Sequence, residues 1–82
     1  MLLTYTELSE EIGISKNQLN MLCSRAEMAK YDTTVYTDRS WQRGVYCTKE
    51  SMNTLYELIK LKPRTKIDIK RFAKFCRKLE DK

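Results

Sequence analysis

The chain of 82 residues has no histidine, two glycines, one proline and one tryptophan. Without histidine it lacks the most frequent general base and the most frequent zinc ligand. With only two glycines, far apart, it has no glycine-rich phosphate loop. Cys23, Cys47 and Cys76 are odd in number and widely spaced, so neither a zinc spacing nor a disulfide framework is indicated. Each lies in or beside an apolar pattern and reads as a small buried side chain. No enzyme, no metal site and no cofactor are therefore expected. No apolar run approaches the roughly 20 residues that span a bilayer. The start, Met1-Leu2-Leu3-Thr4-Tyr5, lacks the basic region and long apolar segment of a secretory signal, so cytoplasmic residence is expected.

What is present is ordinary for a globular chain: 41% hydrophobic and 33% charged residues, enough for one domain with one modest core. The net charge of +5 is unevenly placed. Residues 1–59 hold six basic and eight acidic side chains, whereas residues 60–82 hold ten basic and three acidic. A basic tail on a slightly acidic body suits a polyanionic partner, most simply nucleic acid. A solvated helix face accounts for the same charges.

The apolar spacing divides the chain into short elements. Thr4 and Glu7 form a capping box ahead of Tyr5, Leu8 and Ile12, which predicts a helix over about 5–11 closed by Gly13. Glu7, Glu10 and Glu11 lie mainly outside that stripe and would repel phosphate. Ser15 and Gln18 form a second box. After it Leu19, Leu22 and Ala26 share one face of a helix starting at Lys16, and Lys16, Asn17, Asn20 and Ser24 share another. No glycine marks where this helix ends, between Arg25 and Met28. A short helix, a tight turn and a capped helix with a polar outer face is the layout of a helix-turn-helix.

After Asp32 the composition turns to β-branched and aromatic residues. Thr33-Thr34-Val35-Tyr36-Thr37 and Val45-Tyr46-Cys47-Thr48 predict a β-hairpin around a polar loop, Asp38 to Gly44. Alternation predicts Val35, Val45 and Cys47 inward, with Tyr36 and Tyr46 outward and paired across the strands. Thr48 then caps a helix to about Leu61, with Met52, Leu55, Tyr56 and Ile59 on its main stripe and Leu58 and Leu61 on a second side. Pro63 is expected to stop it. Thr65 or Asp68 can cap a last amphipathic helix through about Glu80. There Ile69, Phe72, Ala73, Cys76 and Leu79 gather on one face with Phe75 at its edge, and Lys70, Arg71, Lys74, Arg77 and Lys78 on the other. Leu58 and Leu61 are natural acceptors for that apolar face, within one chain or across a dimer. The fold class predicted is mainly α with a small β-hairpin: a first unit over 1–62, then a connector and basic helix over 63–82.

From about Leu3 to Leu61 this order of elements resembles the winged helix-turn-helix of the excisionase and MerR-like DNA-binding families. The resemblance is carried by Leu3-Thr4-Tyr5-Thr6-Glu7-Leu8, Ile12-Gly13-Ile14-Ser15, Leu19-Asn20-Met21-Leu22 and Val45-Tyr46-Cys47-Thr48-Lys49-Glu50-Ser51-Met52. It implies a recognition helix in the major groove of double-stranded DNA and a hairpin wing on the backbone or minor groove. By position it implies Lys16, Asn17, Asn20, Met21 and Ser24 for the recognition helix, and Arg39, Trp41, Gln42 and Arg43 for the wing tip. Members of these families are often small phage or mobile-element factors that bend DNA for recombination or repress transcription. The resemblance thus implies an excisionase-like architectural factor or a transcriptional regulator, acting in a bacterial host as a homodimer or cooperative array.

Chemistry supports these roles without requiring them. Asparagine pairs bidentately with adenine, lysine reaches guanine or phosphate, and Met21 can meet a thymine methyl. The same side chains also suit a plain surface helix. Arg39 and Arg43 fit a minor groove or flanking phosphates, whereas Trp41 fits equally as a core plug folded back on the body. The basic face of the last helix suits phosphate contact or mere solubility. A rival reading keeps the fold and changes the partner: a phage-encoded inhibitor that binds a host enzyme or defence complex.

Overall fold

Residues 1–62 and 64–80 are described by a computed structural model; the expected stop at Pro63 lies outside the described residues. The elements follow as β1 (Leu2–Thr4), α1 (Tyr5–Ile12), α2 (Lys16–Cys23), α3 (Ala26–Ala29), β2 (Asp32–Thr37), β3 (Ser40–Tyr46), α4 (Lys49–Lys60) and α5 (Ile69–Glu80). This is a mainly α fold with a small antiparallel sheet, laid out as a winged helix-turn-helix with an amphipathic helix added at the C-terminus. No helix among the described residues is long and apolar enough to cross a membrane.

Capping chemistry sets the helix starts. The Thr4 hydroxyl accepts from Glu7 N–H at 3.1 Å, and the Glu7 carboxylate accepts from Thr4 N–H at 3.0 Å. Thr48 and Ser51 make the equivalent reciprocal pair at the start of α4. Gly13 ends α1 at φ 69° and ψ 40°, the left-handed region, with its N–H donating to the Ser9 carbonyl; that turn is natural for glycine. A Cβ at Gly13 would stand 2.7 Å from the Cβ of Asp68. The first turn of the helix-turn-helix is therefore packed directly under the start of α5.

The sheet differs from the expected hairpin in three ways. First, it has three strands in the order β1-β3-β2. The short β1 pairs Leu3 with Val45 and Thr4 with Gly44, and Cys47 N–H donates to the Met1 carbonyl. Second, the turn is two residues, Asp38 and Arg39, both at positive φ (50° and 64°). This type I′ geometry matches strand twist, and it converts the expected loop from Ser40 to Gly44 into strand. Gly44 sits mid-strand because a Cβ there would meet Val35 Cγ2 at 2.7 Å and the Leu3 carbonyl oxygen at 2.9 Å.

Third, the register reassigns the faces. Tyr36 lies opposite Trp41 and Tyr46 opposite Leu2, so the two tyrosines do not pair. Val35 lies opposite Gln42 while Val45 lies opposite Asp32. Alternation then puts Val35 on the face away from Val45 and Cys47, and only the last two enter the core.

The core joins α1 (Tyr5, Leu8, Ile12), α2 (Leu19, Leu22, Cys23), Met28, Val45, Cys47, α4 (Met52, Leu55, Leu58, Ile59) and α5 (Phe72, Phe75). Helix α5 packs on α1 and α4, with Phe72 stacked on Tyr56 at 5.6 Å between centroids. Asp68 caps it, accepting from Arg71 N–H at 3.1 Å. Its buried stripe is turned from the expected one. Phe75 is at the centre with 2% of its surface exposed, whereas Ile69 and Ala73 are exposed. Leu61, expected to receive α5, is also exposed. Contact with α1 as well as α4 draws Phe75, rather than Ile69, inward.

Candidate nucleic-acid interface

Helix α2 is set by its cap and its buried side. The Ser15 hydroxyl accepts from Gln18 N–H at 3.2 Å, which is half of the expected box; Gln18 itself lies half-buried beside the connector that follows α4. Leu19, Leu22 and Cys23 are buried. Lys16, Asn17, Asn20, Met21 and Ser24 are all exposed, so the five expected recognition residues do share one outer face. The helix ends earlier than expected. Ser24 turns back, its hydroxyl donating to the Asn20 carbonyl at 2.7 Å. Arg25 is extended and opens the separate helix α3. Ala26 belongs to α3 and is exposed, not part of the Leu19–Leu22 face.

The hairpin residues divide between two places. Arg39 alone stands in the turn; Trp41, Gln42 and Arg43 lie along β3. Trp41 is 70% exposed and pairs with Tyr36, ring centroids 5.4 Å apart, so it is not a core plug. Cross-strand pairing gives it a partner on the ribbon instead. Arg43 is anchored. Its Nη2 donates to Asp32 Oδ2 at 2.8 Å, and its guanidinium lies 5.1 Å from the centroid of the Tyr5 ring. The Tyr5 hydroxyl donates to the other Asp32 oxygen at 2.7 Å. Partial burial pushes the Asp32 carboxyl up, but the bonds from Arg43 and Tyr5 and the charge of Arg43 outweigh it, and the net shift is downward. Burial, then the bond to Asp32, pushes the Tyr5 hydroxyl up. The network ties the base of the hairpin to α1.

One crevice collects most of these residues. Lys16, Asn17 and Asn20 of α2 form one wall and Ser40, Gln42 and Arg43 of β3 the other, with Tyr5 and Thr6 between them. No acidic side chain among the described residues lines it, although Arg43 in its wall is paired with Asp32. Tyr5 and Thr6 escaped the sequence reading because they begin a helix whose visible feature is its acids. Met21 and Ser24 stand at the other edge of this face, lining a second hollow with Arg25, Lys62 and Arg64. Arg25 comes from the α2–α3 junction and Lys62 and Arg64 from the connector, and the density of lysine and arginine after residue 60 signals only the last two.

The acids of α1 point elsewhere. Glu7, Glu10 and Glu11 line a groove against α5, facing Arg71, Lys74 and Lys78, and Lys78 reaches Glu11 at 3.8 Å. Three of the five expected phosphate-binding residues of α5 thus stand opposite three carboxylates. Lys70 and Arg77 are exposed and do not border that groove. Comparison of the chain with known protein families, curated proteins and solved structures finds no match.

Proposed function

We propose that the protein binds double-stranded DNA, with α2 as the reading element and the hairpin as a wing. The carrying observation is the crevice in which Lys16, Asn17 and Asn20 face Ser40, Gln42 and Arg43. An α-helix with its side chains is about 10–12 Å across and enters a major groove about 12 Å wide. In that pose Asn17 and Asn20 read base edges, Met21 meets a thymine methyl, and Arg39 reaches the flanking backbone or minor groove. The cellular role fits an excisionase-like architectural factor or a transcriptional regulator of phage or mobile-element origin, working in the bacterial cytoplasm. Self-association as a dimer or array would use a surface other than the apolar side of α5, which the chain covers itself; Leu61 and Ile69 are exposed nearby.

The test is selection of a preferred duplex from a random pool, followed by Asn20→Ala. Specific binding should weaken by about 1–3 kcal/mol and sequence preference should relax. Equal losses on the selected and a random duplex would refute base reading by Asn20.

A second reading is favoured by one observation, the exposed Tyr36–Trp41 pair. Exposed aromatics suit a protein partner such as a host enzyme or defence complex. Titration with duplex DNA at low and moderate salt separates the two readings: absence of binding at low salt supports the protein partner.

A further inference from the structure

We infer that Arg25, Lys62 and Arg64 form a second phosphate-binding surface, holding the DNA strand on the side of α2 away from the hairpin; this rests on the DNA-binding reading. A helix lying in a major groove has a sugar–phosphate strand along each flank. The crevice with β3 provides for one flank. On the other, Arg25 at the end of α2 and Lys62 and Arg64 of the connector line one hollow, floored by Met21 and Leu22.

Charge supports the assignment. Among the described residues no acidic side chain lines this hollow, and none of its three cations is in an ion pair. The α1–α5 groove is the contrast, since its three cations face three carboxylates. A polyanion gains more from cations without carboxylates opposite them. The hollow is also continuous with the reading face, because Met21 and Ser24 belong to both. An acidic protein segment would satisfy the charges but not explain why they border the row of Asn17, Asn20 and Met21.

The probe is a random-sequence duplex about two helical turns long, because phosphate contacts carry no sequence information. Binding of the full chain is followed by fluorescence anisotropy across a salt series. Each of Arg25→Ala, Lys62→Ala and Arg64→Ala should reduce the slope of log affinity against log salt by about 0.9, the value for one phosphate contact on B-DNA. Arg64→Lys should retain the slope, which separates lost charge from lost folding. Lys30→Ala, whose side chain is paired with Glu50 outside either surface, should leave the slope unchanged. Unchanged slopes in all three alanine variants, with wild-type binding intact, would overturn this surface and leave the DNA reading standing. No wild-type binding at low salt would overturn both. Loss of an acidic protein partner in these variants, with DNA slopes unchanged, would assign the hollow to protein instead.

Discussion

Replacing Gly13 by alanine tests the link between the helix-turn-helix and α5. Two separate effects act at this position. The backbone stands at φ 69°, where an L-residue pays about 1–2 kcal/mol relative to the right-handed region. Reduced freedom of the unfolded chain returns about 0.4–1 kcal/mol of that. The added methyl also meets Asp68, whose Cβ is 2.7 Å from the ideal Cβ position and whose backbone nitrogen is at 3.4 Å. These are not the far end of a flexible side chain, so relief requires the start of α5 to retreat. Overpacking of this kind typically costs about 1–3 kcal/mol.

The expected loss is therefore about 1–4.5 kcal/mol, and for a domain of this size each kcal/mol lowers Tm by about 4–8 °C. Urea unfolding followed by far-UV circular dichroism gives the value. Asp68→Gly separates the two effects. Glycine is itself a tolerable N-cap, weaker than aspartate by a few tenths of a kcal/mol, and it removes the obstructing Cβ. The double variant should be less destabilised than the sum of the single variants by about 1 kcal/mol or more. A loss below about 0.5 kcal/mol for Gly13→Ala, or strict additivity in the cycle, would refute the argued packing of the turn under α5.

Arg39→Gly should stabilise the hairpin by up to about 1 kcal/mol, since φ is 64° there, while weakening DNA binding and its salt dependence; a variant that is stabilised and binds as before would remove Arg39 from the interface. Asp32 has a folded carboxyl below its ordinary value of 3.8, so its contribution is complete above about pH 4 and disappears as pH falls through the lower folded value. The urea midpoint of the wild type should therefore drop more steeply below about pH 4 than that of Asp32→Asn, and parallel curves would count against the network. Burial pushes the Cys23 and Cys47 thiols up to about 11 and about 12, whereas Cys76 is only half-buried. A maleimide at neutral pH should label Cys76 first in the native chain, as read by peptide mass spectrometry, and rapid labelling of Cys47 would contradict its burial.

The helices were legible because their starts are written locally. Thr4 with Glu7, and Thr48 with the residues after it, announce caps within four positions, and the buried stripes follow at helical spacing. The sheet was less legible because its decisive contacts are long-range. Nothing near Gly44 reveals that Leu3 will cross it, and that crossing is why glycine stands inside a strand rather than in a loop. The turn lacked its usual Asn-Gly or Asp-Gly signal, since Arg39 occupies a position that favours glycine; this hid the two-residue turn and shifted Val35 to the wrong face. The α5 stripe turned for a similar reason. Periodicity identifies an amphipathic helix but not how many neighbours it has, and packing on both α1 and α4 selected Phe75 over Ile69.

The exposure of Lys16, Asn17, Asn20, Met21 and Ser24 along α2 was legible, but the placement of charge was not. In the sequence the basic tail looks like one reservoir, with α5 its densest part. In three dimensions Arg71, Lys74 and Lys78 face Glu7, Glu10 and Glu11, Lys49 reaches Glu80 at 3.2 Å and Lys60 reaches Glu57 at 3.4 Å. These exposed pairs contribute little to stability, but each lowers the local potential that a phosphate would feel. Among the cations without an ion pair among the described residues are Lys62 and Arg64, in the short connector at the flank of α2. On the proposed reading, a helix bearing Lys16 and two asparagines needs no further charge of its own. Its polar face can discriminate bases while the cations of the turn and the connector, one on each side, hold the two strands between which it lies.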